Sequence, residues 1–220
     1  MTHPRNLLMH HVFFVCINLL IFFFLSQTVS AQEAADTLVL NEPFDNNNFH
    51  WPEENHDSAF SKVENGNYVF NNKMSSRVWS YRLAPAGVFT RKPNVLEMKM
   101  KSMSDAGNAI YGILWHTMLL RHGVYNEYGF LISAIGNATI IQKLNDTLIV
   151  IKPWAFIPSI NQFGYNILRI EETTGDLFKF YINNNLVFEQ SLINGEISTL
   201  GFYCDPHTVL AIDYIKLVVR

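Results

Sequence analysis

The sequence predicts an all-β chain built from short antiparallel strands, and three observations lead there. From Thr37 onward no stretch keeps a helical period for three turns. Short runs rich in Val, Ile, Phe and Tyr recur instead. Asn and Gly separate these runs about every ten residues, the spacing of a sandwich or barrel. Asn65-Gly66 divides FSKVE from NYVF, and this dipeptide tolerates the positive φ angles of a tight hairpin. Similar breaks fall at Gly136-Asn137, Asn145-Asp146, Thr174-Gly175-Asp176, Asn183 to Asn185 and Asn194-Gly195.

In chain order the pattern predicts strands over 37–44, 58–63, 67–72, 76–82, 94–103, 108–117, 125–133, 137–144, 147–152, 165–172, 176–182, 186–190, 197–204 and 208–219. Alternation assigns faces, because successive strand side chains point to opposite sides. Leu96, Met98 and Met100 oppose Glu97, Lys99 and Lys101, and Phe178, Phe180 and Ile182 oppose Leu177, Lys179 and Tyr181. Each of these strands therefore has one wet face. Strand 108–117 is apolar on both registers, with Tyr111, Ile113 and Trp115 on one side and Ile110, Leu114 and His116 on the other. It is expected to be central, its second face covered or used for binding. Residues 152–164 (KPWAFIPSINQFG) contain two prolines and read as a loop beside any binding surface.

The first 31 residues read as a secretion signal. Arg5 supplies the positive start, residues 12–25 form an apolar run broken only by Asn18, and Val29-Ser30-Ala31 gives small residues before a cut at Ala31/Gln32. The run is too short to favour a stable membrane span after cleavage. Residues 32–36 are then a short tail and 37–220 a single domain, with no linker or long internal repeat. Export places the protein in the periplasm, the cell envelope or the medium. The remaining chain carries 15 basic against 19 acidic residues, a net charge of −4, which argues against nucleic acid as a partner. Cys204 is its only cysteine, so no internal disulfide can form and the core must hold the fold.

Several phrases occur together in order: PFDNNNFHWP (43–52), ENGNYVF (64–70), NAIYGILWH (108–116), NEYGFLISAIGNATI (126–140), FKFYINNNLVFE (178–189) and LGFYCDPHTVLAIDYIKLVV (200–219). As an ordered set they resemble a secreted bacterial module of the concanavalin A-like lectin/glucanase superfamily, laminin-G-like or similar to family 16 glycoside hydrolases. That resemblance implies an antiparallel two-sheet jelly-roll sandwich. It also implies glycan binding or sugar hydrolysis as functions, between which the fold does not decide. The expected function is non-catalytic recognition of a glycan or polysaccharide by aromatic stacking and hydrogen bonding on a concave sheet, with a glycoside hydrolase, or an envelope module that docks a protein on the same apolar face, as alternatives.

Paired carboxylates are the usual signature of glycoside hydrolysis. The E-x-D-x-x-E strand of the superfamily's glucanases is absent, and no two acidic residues are separated by two. A cross-strand pair such as Glu97 with Glu127 is the remaining enzyme alternative, although both read as solvent-facing. No G-x-S-x-G occurs, and Cys204 reads as a small core hydrophobe. Sugar recognition needs flat rings beside amides, carboxylates or guanidinium groups. The candidates are Trp79 and Tyr81, in register on one strand, Trp115 and His116, Tyr128, and Trp154 between the prolines. Arg77 and Arg121 could add polar contacts. No cofactor is expected. Asp45 and Asp213 are weak calcium candidates, because the terminal strands of jelly rolls often meet.

Overall fold

A computed structural model describes residues 36–75, 94–104, 107–119, 125–145, 147–173 and 176–220. All of them lie in one compact unit, Asp36–Arg220, and none of them is helical. The predicted leader, the predicted strand 76–82 with Arg77, Trp79 and Tyr81, and Arg121 lie outside the described residues.

The strands are β1 (Thr37–Glu42), β2 (Glu54–Asn55), β3 (Ala59–Glu64), β4 (Asn67–Asn72), β5 (Val95–Ser102), β6 (Ile110–Leu119) and β7 (Tyr125–Ser133). They continue as β8 (Asn137–Leu144), β9 (Thr147–Phe156), β10 (Asn166–Glu172), β11 (Leu177–Ile182), β12 (Asn185–Ser191), β13 (Leu200–Cys204) and β14 (Thr208–Val219). All pairings are antiparallel and they make two sheets. Among the described residues sheet A has nine strands in the order β12-β11-β10-β5-β14-β4-β3-β2, with β1 also on β14, and sheet B has five in the order β13-β6-β7-β8-β9. This is the two-layer jelly-roll sandwich that the sequence predicts.

The core lies between the sheets. Leu96, Met98, Met100, Leu168, Ile170, Phe178, Phe180, Ile182, Leu210, Ile212, Ile215 and Leu217 come from sheet A, and Tyr111, Ile113, Trp115, Phe130, Ile132, Ile140, Leu200 and Phe202 from sheet B. The alternation in β5 and β11 is as predicted. On the outer side of sheet A the polar positions form ladders: Lys99 pairs with Asp213 at 2.7 Å, and Arg169 lies 4.2 Å from the centre of the Tyr181 ring. Asn65 and Gly66, between β3 and β4, both have positive φ (52° and 70°), as a tight Asn-Gly hairpin requires.

Several strand ends shift by one to three residues, β13 starting at Leu200 rather than 197, and two elements differ more. β2 is a two-residue strand, too short to leave a pattern. β9 runs through Pro153 to Phe156, four residues beyond the predicted end, so the loop starts only at Ile157. Proline is tolerated because, among the described residues, β9 is paired on one side only, and its pairing with β8 is bulged between Ala138 and Ile140 and again between Ile140 and Ile141.

Candidate functional site

Three of the predicted ligand residues do come together, but facing inward. Trp115 and Tyr128 are directly opposite on β6 and β7, buried and stacked at 5.5 Å between ring centres, and Trp115 also packs on Phe180 at 5.8 Å. Their polar atoms hold the connection between β12 and β13. The Trp115 indole N–H donates to the Gly195 carbonyl at 2.8 Å, and the Tyr128 hydroxyl donates to the Ile193 carbonyl at 2.8 Å. His116 is buried too, its Nδ1 donating to the Glu196 carbonyl at 3.0 Å. His116 has φ 54° at the register break between Trp115 and Met118, and the bulge aims its ring at this connection. Burial raises the Tyr128 hydroxyl pKa, so it remains a proton donor. Sugar stacking by Trp115, His116 and Tyr128 is therefore corrected to a structural role: they close one end of the sandwich.

The opposite face of sheet B is also apolar. Leu114, Leu131, Ile141 and Tyr203 form a second buried cluster, with Ile110 packed against it. Gly129 makes room for it: a Cβ there would stand 2.9 Å from Ile141 Cγ1 and 3.3 Å from Leu114 Cδ2. By register Leu148, Val150, Trp154 and Phe156 of β9 belong to this face, Val150 opposite Ile141 and Phe156 opposite Asn137. The face is thus buried in its centre and open along β9.

The open side leads to an end of the sandwich where aromatic rings meet water. Trp154 is 45% exposed, Phe156 65% and Phe163 98%. Above Gly136 the Phe156 ring and the Gln162 amide come together, since a Cβ on that glycine would lie 3.1 Å from Phe156 Cε2 and 3.0 Å from Gln162 Nε2. Gln162 and Phe163 then line a cavity of about 580 Å³ with Lys101, Ser102, Ser104, Met103 and Ile135. The Lys101 ammonium sits 4.6 Å from the centre of the Tyr165 ring, whose hydroxyl donates to Asn67 Oδ1 at 2.6 Å. A ring, an amide, two serines and a lysine thus line the cavity, residue types that a polyhydroxylated ligand uses. Of the aromatic candidates, Trp154 alone among the described residues is open to solvent. Phe156 and Phe163 are not among the sequence candidates, yet both fall inside residues 152–164, the segment expected beside a binding surface.

The acidic candidates are placed elsewhere. Glu97 is on β5 in sheet A, where its Oε1 accepts the Tyr214 hydroxyl proton at 2.8 Å, whereas Glu127 is on β7 in sheet B. They are in different sheets and do not flank one cleft, and Glu127 is buried rather than solvent-facing. The terminal strands do meet, Glu42 of β1 opposite Ile215 of β14. Asp213 is nevertheless committed to Lys99, and Asp45 is exposed. Among the described residues no three His, Cys, Asp or Glu side chains gather as metal ligands. The buried carboxylate at that end is Glu42, which accepts the Phe44 N–H at 2.8 Å and the Trp51 indole N–H at 2.7 Å. Cys204 is buried beneath the sheet, where desolvation pushes its thiol pKa up, away from nucleophilic use.

No family model matches the chain, and no curated protein matches it. Solved structures do. A Bacillus licheniformis beta-glucanase superposes with TM-score 0.55 at 9% identity over 82% of this chain and 98% of its own. An endo-beta-galactosidase from Clostridium perfringens that releases GlcNAcα1-4Gal gives 0.56 at 13% identity, over 85% and 63%. The kappa-carrageenase of Pseudoalteromonas carrageenovora, in complex with an oligotetrasaccharide of kappa-carrageenan, gives 0.54 at 12% identity, over 88% and 99%. At such identities the likeness is one of fold, and the chain shares with these proteins the two-sheet antiparallel jelly roll.

Proposed function

We propose that this chain is an exported, non-catalytic carbohydrate-binding module that recognises a glycan or polysaccharide at the rim formed by β9 and the 157–165 loop. The observation that carries the reading is the set of three exposed rings on β9 and the loop after it, Trp154, Phe156 and Phe163, of which Phe163 lines a cavity with Gln162, Ser102, Ser104 and Lys101. Exposed aromatic side chains lose hydrophobic stabilisation by staying in water, and a sugar's C–H face removes them from it while its hydroxyls take the neighbouring donors and acceptors. The volume falls in the range of small-molecule sites. The fold neighbours named above act on polysaccharides, which supports the ligand class. The separation of Glu97 and Glu127 into different sheets supports binding over hydrolysis by that pair.

Mechanistically, Trp154 and Phe156 are two apart on one strand face, which spaces two rings along an extended chain, and Phe163 bounds the cavity where a further sugar unit would seat. Calorimetric titration with soluble β-glucans, galactans and carrageenans tests this. Binding is expected to weaken at least tenfold in Trp154→Ala and Phe163→Ala, about 1.4 kcal/mol each, with the unfolding midpoint little changed. Unaltered affinity in both variants would overturn the site. Release of new reducing ends by the wild-type chain would overturn the non-catalytic assignment.

A further inference from the structure

The geometry points to a second copy of this chain as the occupant of the free edge of β9, the two β9 strands pairing antiparallel about a two-fold axis at Ile149. Among the described residues β9 is the last strand of sheet B and is hydrogen-bonded to β8 alone. Its first part is exposed on both faces: Leu148 is 51% and Val150 55% exposed on the outer side, and Ile149 39% on the inner. An uncharged, apolar strand edge of this kind is a template for another strand.

The register shows which backbone groups are offered. Leu144 faces Thr147 with two residues between them, so this closing pair exchanges both hydrogen bonds. The pattern alternates, and Gln142 with Ile149 is the next such pair. The N–H and C=O groups of Leu148 and Val150 therefore point away from β8. A second strand centred on Ile149 brings Leu148 of one copy opposite Val150 of the other, and these two residues exchange both bonds. Ile149 meets Ile149, and Thr147 meets Ile151. All facing pairs share a side of the sheet, as antiparallel pairing demands.

The segment from Thr147 to Ile151 carries no charge, so no like charges oppose one another across the two-fold axis. Apolar cross-strand pairs favour association. The bulges between β8 and β9 begin beyond Val150 and limit the ladder to this stretch. Such a short edge is smaller than a standard interface and predicts association in the micromolar range.

Sedimentation equilibrium across about 1–100 µM, the span that affinity implies, tests the pairing. The wild-type chain is expected to shift from monomer to dimer. Val150→Pro removes a donor on the free edge and leaves the β8 ladder intact, so the variant should stay monomeric with unchanged near-ultraviolet circular dichroism. Val150→Lys offers a second route to the same result if proline perturbs the fold. Ile149 at the axis is a non-hydrogen-bonded pair, whose close approach suits a disulfide. Ile149→Cys should thus yield a covalent dimer with oxidised glutathione, whereas Lys62→Cys on the exposed side of sheet A should not. A wild-type monomer throughout the range, or equal cross-linking of the two cysteine variants, would overturn the proposal. Neither readout involves a sugar, so the pairing stands or falls independently of the glycan reading.

Discussion

Trp115 and Trp154 lie in the same sheet and meet opposite fates. Trp115 sits on β6, flanked by β13 and β7, with its ring stacked on Tyr128 and its N–H spent on the Gly195 carbonyl. Trp154 sits beside a bulge on the edge strand, nearly half in water. The same side chain serves as a core anchor in one place and as a contact surface in the other. What separates them is the face of the strand and the number of neighbouring strands, neither of which is a property of tryptophan. An aromatic residue is therefore a binding candidate only once its face and its sheet position are known.

This contrast yields measurable consequences. Trp115→Ala should cost about 3–5 kcal/mol in denaturant unfolding, since it empties a fully buried site and strips the Gly195 carbonyl of its donor. A loss near 1 kcal/mol would place Trp115 in the same class as Trp154. Next in size is an alkaline effect at the other aromatic cluster, where Tyr68 packs on Phe44 and Trp51. Burial pushes the Tyr68 hydroxyl pKa up from 10.0 to about 12, so the folded state keeps a proton that the unfolded chain releases. Its stabilisation is complete below pH 10 and is lost as pH rises from 10 to 12, by up to about 2–3 kcal/mol. Unfolding midpoints across that window should fall less steeply in Tyr68→Phe.

The outer face of sheet B supplies an intermediate case. Gly129→Ala drives a methyl against Ile141 and Leu114 and should cost about 1–3 kcal/mol, the response of packed interior. An effect below about 0.5 kcal/mol would mean that the centre of this face is as open as its β9 side. Smallest is Trp154→Ala, expected to change unfolding free energy by less than about 1 kcal/mol, because a half-exposed edge side chain has little packing to lose. Its signature should appear in titration with polysaccharide.

Alternation carried most of the architecture. The Leu96-Met98-Met100 and Phe178-Phe180-Ile182 stripes predicted buried faces, and the Asn and Gly breaks predicted where strands end. Strand 108–117, apolar on both registers, is indeed sandwiched between neighbours in its sheet, and its second face is packed at Leu114. What local pattern could not supply was which sheet each strand joins. Glu97 and Glu127 look equivalent in the sequence, yet only the long-range pairing of β5 with β14 and of β7 with β6 puts them in different sheets. Nor could it supply the inward aim of Trp115, since its strand is apolar on either side. Phe163 was hidden for the opposite reason: a lone phenylalanine in a loop has no periodicity to read, and only three dimensions show it standing clear of the core.

β14 joins β5 on one side to β4 and β1 on the other, and it follows all three in the chain. During synthesis the described strands of the larger sheet therefore stay in three unjoined pieces, β12-β11-β10-β5, β4-β3-β2 and β1, until residues 208–219 have left the ribosome. Because these contacts bridge the greatest sequence separations, they are closed against the largest loop entropy, and folding should be slow and late. A nascent chain built this way is kept from premature closure by its own strand order.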